Sequence, residues 1–213
     1  MYKIVTACLF LLLAFNTSQA NDWKLSSDKG GIKVYTRLVP GSKVKAIKVE
    51  CDLKATASQL VAVLLDVKTC ADWVYHTKSC VLVKQVSPAE LYYYSEISVP
   101  WPAENRDFVA HIAVTQDPET KVVTVDAPSV PGHVAVKKGV VRISNSKGKW
   151  TITPIANQSI RVEYSLQVDP GGVIPAWLVN MFATEGPVQS FKSLKLQLQK
   201  DEYKNVSLPF IRN

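Results

Sequence analysis

The chain has 213 residues, 47% of them hydrophobic and 20% charged, with 25 basic and 18 acidic side chains and a formal net charge of +7. That composition excludes a disordered or fibrous polymer, and the length suits one globular domain able to bury a core without staples. The basic residues are scattered among apolar ones (Lys43, Lys45, Lys48, Lys137, Lys138), with no zinc spacing, helix-turn-helix signal or basic-aromatic motif. A soluble basic surface is expected, drawn weakly to anionic membranes, and nucleic acid is not expected as a partner.

Residues 1–20 read as a leader rather than as fold. Lys3 precedes an apolar stretch from Ile4 to Phe15, and Ser18-Gln19-Ala20 places small residues at the −3 and −1 positions of a cleavage site after Ala20. The stretch is shorter than the roughly 20 residues a bilayer span needs, so a cleavable signal is expected, with an uncleaved anchor as the alternative. Export to a periplasm or the outside follows, and residues 21–213 form a single domain. Loss of Lys3 leaves 24 basic and 18 acidic side chains, a net charge of +6.

Asn21 to Asp28 is a short segment anchored by Trp23 and Leu25, stopped by Lys29-Gly30-Gly31. Ile32–Leu38 alternates apolar and polar residues and reads as a strand; Pro40-Gly41 is a turn. Val44–Leu53 alternates again, with a slip of phase at Ala46-Ile47 that suggests a bulge. Thr56 or Ser58 can cap a helix carrying Leu60, Val63 and Leu64, and a second short helix ends near Trp73. From Cys80 the period returns to two: strands are expected at Cys80–Val86, Leu91–Val99, Asp107–Thr115, Val122–Ala127, Val134–Ser144, Lys149–Ile155 and Ile160–Val168, separated by turn residues. Short links imply an antiparallel meander. After Asp169-Pro170-Gly171-Gly172 comes a long amphipathic helix with Trp177, Leu178, Met181, Phe182, Val188, Phe191, Leu194 and Leu198, interrupted at Gly186-Pro187. One amphipathic helix must bury its stripe, and the sheet is the only large partner. The expected class is α+β: a curved antiparallel sheet of about nine strands wrapped around a long C-terminal helix.

The mature chain keeps Cys51, Cys70 and Cys80. Cys70 and Cys80 flank a short stretch and are the best candidates for a disulfide in an oxidising compartment, leaving Cys51 as a buried thiol. No Cys/His spacing suits a metal, and no cofactor is expected.

Four segments resemble the START (StAR-related lipid-transfer) domain family. Gly31-Ile32-Lys33-Val34-Tyr35 with Val39-Pro40-Gly41-Ser42 resembles its first strand and turn, and Asp66 to Trp73 its Asp-x-x-x-x-x-x-Trp helix end. Pro100 to Val109 is similar to its Pro-Trp-Pro…Arg-Asp segment, and Asp169 to Asn180 to its lead-in to the final helix. In order and covering nearly all of residues 21–213, they mark a single-domain exported member of bacterial type. The resemblance implies a helix-grip fold with a tunnel between sheet and helix, holding one lipid (a sterol, phospholipid or similar). It implies lipid transport between membranes or within a periplasm, transient contact with a membrane surface, and a monomer.

On the strand after Arg106 the resemblance points to Phe108, Ala110, Ile112 and Val114 as the inward set. Leu178, Met181 and Phe182 are the helix candidates. Tyr92 and Tyr94 share a strand face and offer hydroxyls to a headgroup. Each of these residues has plain core packing as its alternative. Arg106 and Asp107 are a structural or headgroup pair, with the structural role favoured because adjacent strand residues point to opposite faces. Trp101, between two prolines, is either a membrane-facing mouth residue or a buried loop anchor. The competing reading is an enzyme of the wider helix-grip superfamily acting on a hydrophobic substrate. It needs a positioned acid or base, and His76, His111 and His133 have no evident partner. No catalytic residue is assigned.

Overall fold

A computed structural model describes residues 23–40, 45–172 and 174–212. The expected leader (1–20) and much of the Pro40-Gly41 turn lie outside the described residues. Ten strands are described: β1 (Lys24–Lys29), β2 (Ile32–Leu38), β3 (Lys45–Leu53), β4 (Thr77–Ser87), β5 (Glu90–Ile97), β6 (Asn105–Gln116), β7 (Val123–Pro128), β8 (Val140–Arg142), β9 (Asn145–Ile155) and β10 (Ser159–Asp169). Five helices accompany them: α1 (Ala57–Leu65), α2 (Cys70–Trp73), α3 (Ala176–Asn180), α4 (Gly186–Gln197) and α5 (Asp201–Lys204).

The sheet runs β1-β2-β3-β10-β9-β7-β6-β5-β4, antiparallel throughout, with β8 attached parallel to β6. It is therefore not a simple meander. β3 pairs with β10 from Leu53↔Ile160 to Ile47↔Leu166, which joins the N-terminal hairpins to the last strand and curls the sheet. Val34, Val49, Val162, Ile152 and Val125 line its buried inner face, against which α1 and α4 pack.

Three differences from the sequence reading have physical causes. β1 was not expected as a strand because almost all of it is exposed. It is an edge strand held by backbone pairing to β2 across Gly30 and Gly31, whose φ of 61° and 73° suit a two-residue hairpin turn. The phase slip at Ala46-Ile47 is not a bulge, since Ala46↔Arg37 and Ile47↔Thr36 pair in unbroken register. Ile47 is buried inside and Ala46 on the outer face, where Arg37 lies 4.5 Å over the Trp23 ring. The strand expected at Val134–Ser144 shrinks to Val140–Arg142. Residues 134–139 are loop, whose Val134 and Ala135 carbonyls accept from Arg142 at 2.9 and 3.1 Å.

Helix α1 starts at a capping box: Thr56 Oγ1 accepts from the Gln59 N–H, and Gln59 Oε1 from the Thr56 N–H. The C-terminal helix is broken by design of its sequence. Between α3 and α4, residues Met181–Glu185 form a π-helical turn in which the Gly186 N–H reaches Met181 O, five residues back. Pro187 has no N–H to give, and its ring would crowd the carbonyl four residues before it; a widened turn relieves both. Gly186 packs closely: a Cβ there would stand 3.0 Å from Tyr75 Cδ1 and the tyrosine ring would have to shift. No described helix is long and apolar enough to cross a membrane.

Candidate functional site

Between the inner face of the sheet and the broken helix lies a cavity of about 320 Å³. Its walls follow from alternation. On β5, Tyr93, Ser95 and Ile97 face inward; on β6, Arg106, Phe108 and Ile112 do. Leu178, Phe182 and Phe191 form the roof. The innermost part is aromatic: Trp150 lies 4.4 Å from Tyr164, its cross-strand partner, and 5.5 Å from Phe191, with Trp73 edge-on at 6.3 Å. Aromatic rings supply large apolar area in a defined shape.

Polar chemistry in the cavity is sparse and one-signed. The described lining includes two charged residues, Lys45 and Arg106, and no carboxylate or histidine. Burial pushes the Tyr93 phenol up to about 12 and raises Tyr164 as well, so both stay neutral hydroxyls. Arg106 is 5% exposed; its Nη1 donates to Glu104 O, but its Nε finds no partner among the described residues. Trp73 Nε1 and Thr77 Oγ1 are likewise buried and unpartnered, and both residues line the cavity.

The candidates named from sequence divide as follows. Phe108, Ile112, Leu178 and Phe182 line the cavity. Ala110 and Val114 share the inward row and are buried, but stand outside the lining. Ala110 is a short side chain opposite Tyr93, and Val114 packs in the core. Met181 falls outside as well, because the π turn shifts the helical phase and brings Phe182 and Ala183 inward instead.

Tyr92 and Tyr94 are on the wrong face. Three consecutive tyrosines give alternation no phase, and the register Tyr93↔Ala110 turns the middle one inward. Tyr92 instead stacks on the outer face between His111 (4.4 Å) and His133 (4.5 Å). Tyr94 donates to Asp107 Oδ2 at 3.1 Å. Tyr93, missed by the sequence reading, was findable from pairing β5 against the inward set of β6.

Arg106 and Asp107 do not form a pair. Asp107, fully buried on the outer face, takes a two-pronged contact from Arg142: Nε to Oδ1 at 2.6 Å and Nη2 to Oδ2 at 3.1 Å. Beside it Glu96 accepts from Lys78 (2.8 Å), Asn105 (3.0 Å) and Lys137 (3.3 Å). The Lys78 contact leads in holding its carboxyl down at about 2. These ion pairs fasten the 129–142 segment over the back of β5 and β6, while Arg106 turns into the cavity.

Cys70 and Cys80 are joined in a disulfide that ties α2 to β4, and Cys70 lines the cavity; Cys51 is a buried free thiol. Trp101, at the loop between β5 and β6, is 89% exposed and so is not a buried anchor.

Comparisons with known proteins place this architecture. A model of the START domain matches residues 4–203. An uncharacterized protein of Pseudomonas aeruginosa is 34% identical over 181 residues, covering 85% of this chain and 89% of that one. The phosphatidylcholine transfer protein of Mus musculus is 28% identical over 178 residues, 81% of this chain and 82% of its own. The crystal structure of a STAR-related lipid transfer protein fragment from Xanthomonas axonopodis superposes with a TM-score of 0.77 at 36% identity. It covers 84% of this chain and all of that one. With the sheet, the broken C-terminal helix and the cavity between them all falling inside the matched span, the chain belongs to the START domain family.

Proposed function

We propose that this protein holds one lipid molecule in its cavity and carries it between membranes. The observation that carries the reading is the cavity itself: lined by apolar and aromatic side chains, and at about 320 Å³ within the usual range of ligand sites. Each methylene taken from water into such a lining contributes about 0.8 kcal/mol, so shape and apolarity suffice for affinity. The lipid transfer proteins among its relatives support the same reading. No acid–base pair stands in the described lining to do chemistry on a bound molecule.

Access fits one end of the sheet. The end of β2, the β5–β6 loop, the β7–β8 segment and the residues before α3 lie where β2, β5, β7 and β10 finish. Leu38 at the end of β2, Trp101, Val136 and Trp177 in the first turn of α3 stand exposed there. Such residues suit insertion at a membrane interface. The leader expected at residues 1–20 and the Cys70–Cys80 disulfide support work in an oxidising compartment outside the cytoplasm.

The test is native mass spectrometry of the purified mature domain, followed by extraction and identification of what it carries. One lipid per chain is the expected result. A ligand-free protein that also takes up no sterol, phospholipid or fatty-acid probe refutes the proposal.

A further inference from the structure

The cavity's polar groups are selective in kind. Arg106 Nε and Trp73 Nε1 are N–H donors that cannot accept, and the Thr77 hydroxyl can donate. All three are buried without partners among the described residues. A buried guanidinium nitrogen left unpaired carries a desolvation cost that a native structure meets with a partner. Burial alone holds the Arg106 pKa below its ordinary value, with only the exposed Glu104 pulling the other way.

Two of these groups, Thr77 and Arg106, also share a place. Thr77 pairs with Ile97, and Ile97 with Arg106, so Thr77 and Arg106 stand in one row across β4, β5 and β6. Two strand spacings, roughly 10 Å, separate their Cα atoms. Trp73 ends the short helix just before Thr77, but its ring stands edge-on to Trp150 at 6.3 Å, on the aromatic side of the cavity. The row lies at the loop end of the cavity, the end at which Lys45 also enters the lining. Gly172 closes over it, with Arg106 Nη2 3.9 Å from the position a Cβ would take.

Resting on the lipid-carrier reading above, we infer that the ligand's polar end is an acidic oxygen group, a phosphate or a carboxylate, seated at the Thr77–Ile97–Arg106 row with its hydrocarbon running toward Trp150 and Phe191. The acid supplies acceptors to a set of donors and a negative charge to a lining that holds two cations and no acid. A guanidinium presents its Nε and Nη2 hydrogens in the fork that fits two oxygens of such a group.

The experiment is competition against a fluorescent acyl-chain probe with four matched lipids: oleate, dioleoyl phosphatidylglycerol, dioleoyl phosphatidylcholine and dioleoylglycerol, which has the chains without the acid. The wild type is expected to bind oleate or the phospholipids about 10- to 100-fold more tightly than dioleoylglycerol, the range of a charge-assisted hydrogen bond. Oleate alone names a carboxylate ligand; the phospholipids name a phosphate. Arg106→Gln is expected to erase most of that preference. Thr77→Val, nearly isosteric, is expected to lower it several-fold. Should Arg106→Gln not fold, the wild-type comparison and Thr77→Val decide. Equal affinity of the wild type for dioleoylglycerol and the acidic lipids overturns this inference and leaves the carrier reading standing. Uptake of none of the four overturns this inference, and the carrier reading falls with it when a sterol probe is not taken up either.

Discussion

Asp107→Asn separates the two roles that the Arg106-Asp107 dipeptide invites. In the folded chain Asp107 is fully buried, receives both Nε and Nη2 of Arg142, and accepts from Tyr94. The amide keeps the volume and one acceptor oxygen but removes the charge, leaving the Arg142 guanidinium, whose side chain is 12% exposed, without its counterion. Removing one partner of a buried pair costs about 3–5 kcal/mol. Arg142 retains bonds to the Val134 and Ala135 carbonyls, which favours the lower end. A loss of about 3 kcal/mol lowers Tm by roughly 6–12 °C for a domain of this size. Urea and thermal unfolding of wild type and variant measure it, and a double-mutant cycle with Arg142→Met isolates the pair. Lipid preference of the folded fraction should be unchanged, because Asp107 lies behind the sheet. A cost under about 1 kcal/mol, or a changed preference with stability intact, would refute the placement of Asp107 as a fastener.

Other outcomes follow from the same geometry. Glu96 is held at about 2, mainly by Lys78, against an ordinary value near 4.5. A depressed carboxyl stabilises fully above the ordinary value and loses that contribution as pH falls toward 2, so wild-type stability should fall more steeply between pH 4.5 and 2 than that of Glu96→Gln. Burial pushes the Cys51 thiol up to about 12. Thiol reagents at pH 8 should therefore leave it unmodified in the native protein and reach it only on unfolding; prompt labelling would contradict its burial. Trp101→Ala should slow lipid transfer between vesicles while leaving affinity for lipid in detergent unchanged, since Trp101 points outward and lines nothing; an unaltered transfer rate removes the loop from the docking surface. Phe191→Ala, which opens a hole beside Trp150 and Tyr164, should cost about 3–5 kcal/mol in urea unfolding.

How much of this was legible in the sequence depended on whether burial had a period. β2 was legible because its burial alternates, one face meeting the core and the other water, whereas the inward set of β6 came from the family resemblance, its outer face being buried as well at Asp107 and Val109. The Tyr92-Tyr93-Tyr94 run hid its phase because all three residues suit either face. β1 was invisible because backbone pairing alone holds an exposed edge. The π turn displaced Met181 because its widening depends on Pro187 and on Tyr75 against Gly186, a contact from the far side of the cavity. The partner of Asp107 was unreadable for the same reason: Arg142 lies 35 residues on, brought back by a short parallel strand that no hairpin rule anticipates.

The two kinds of wall have a consequence for how a ligand must lie. Aromatic rings fill the end bounded by Trp150, Tyr164 and Phe191, where no charged side chain lines the wall and burying a charged group would be costly. The Arg106 and Thr77 donors sit instead on the row beside the loop that carries Trp101. A lipid taken from a bilayer through that end would enter hydrocarbon first, its acid group leaving the interface last. The guanidinium of Arg106 would replace headgroup hydration at the moment it is lost. The desolvation barrier to extraction then falls on a single residue. Removing that residue should slow uptake of acidic lipids from vesicles as well as weaken their binding, whereas a charge lost from the outer-face network around Glu96 and Asp107 should do neither.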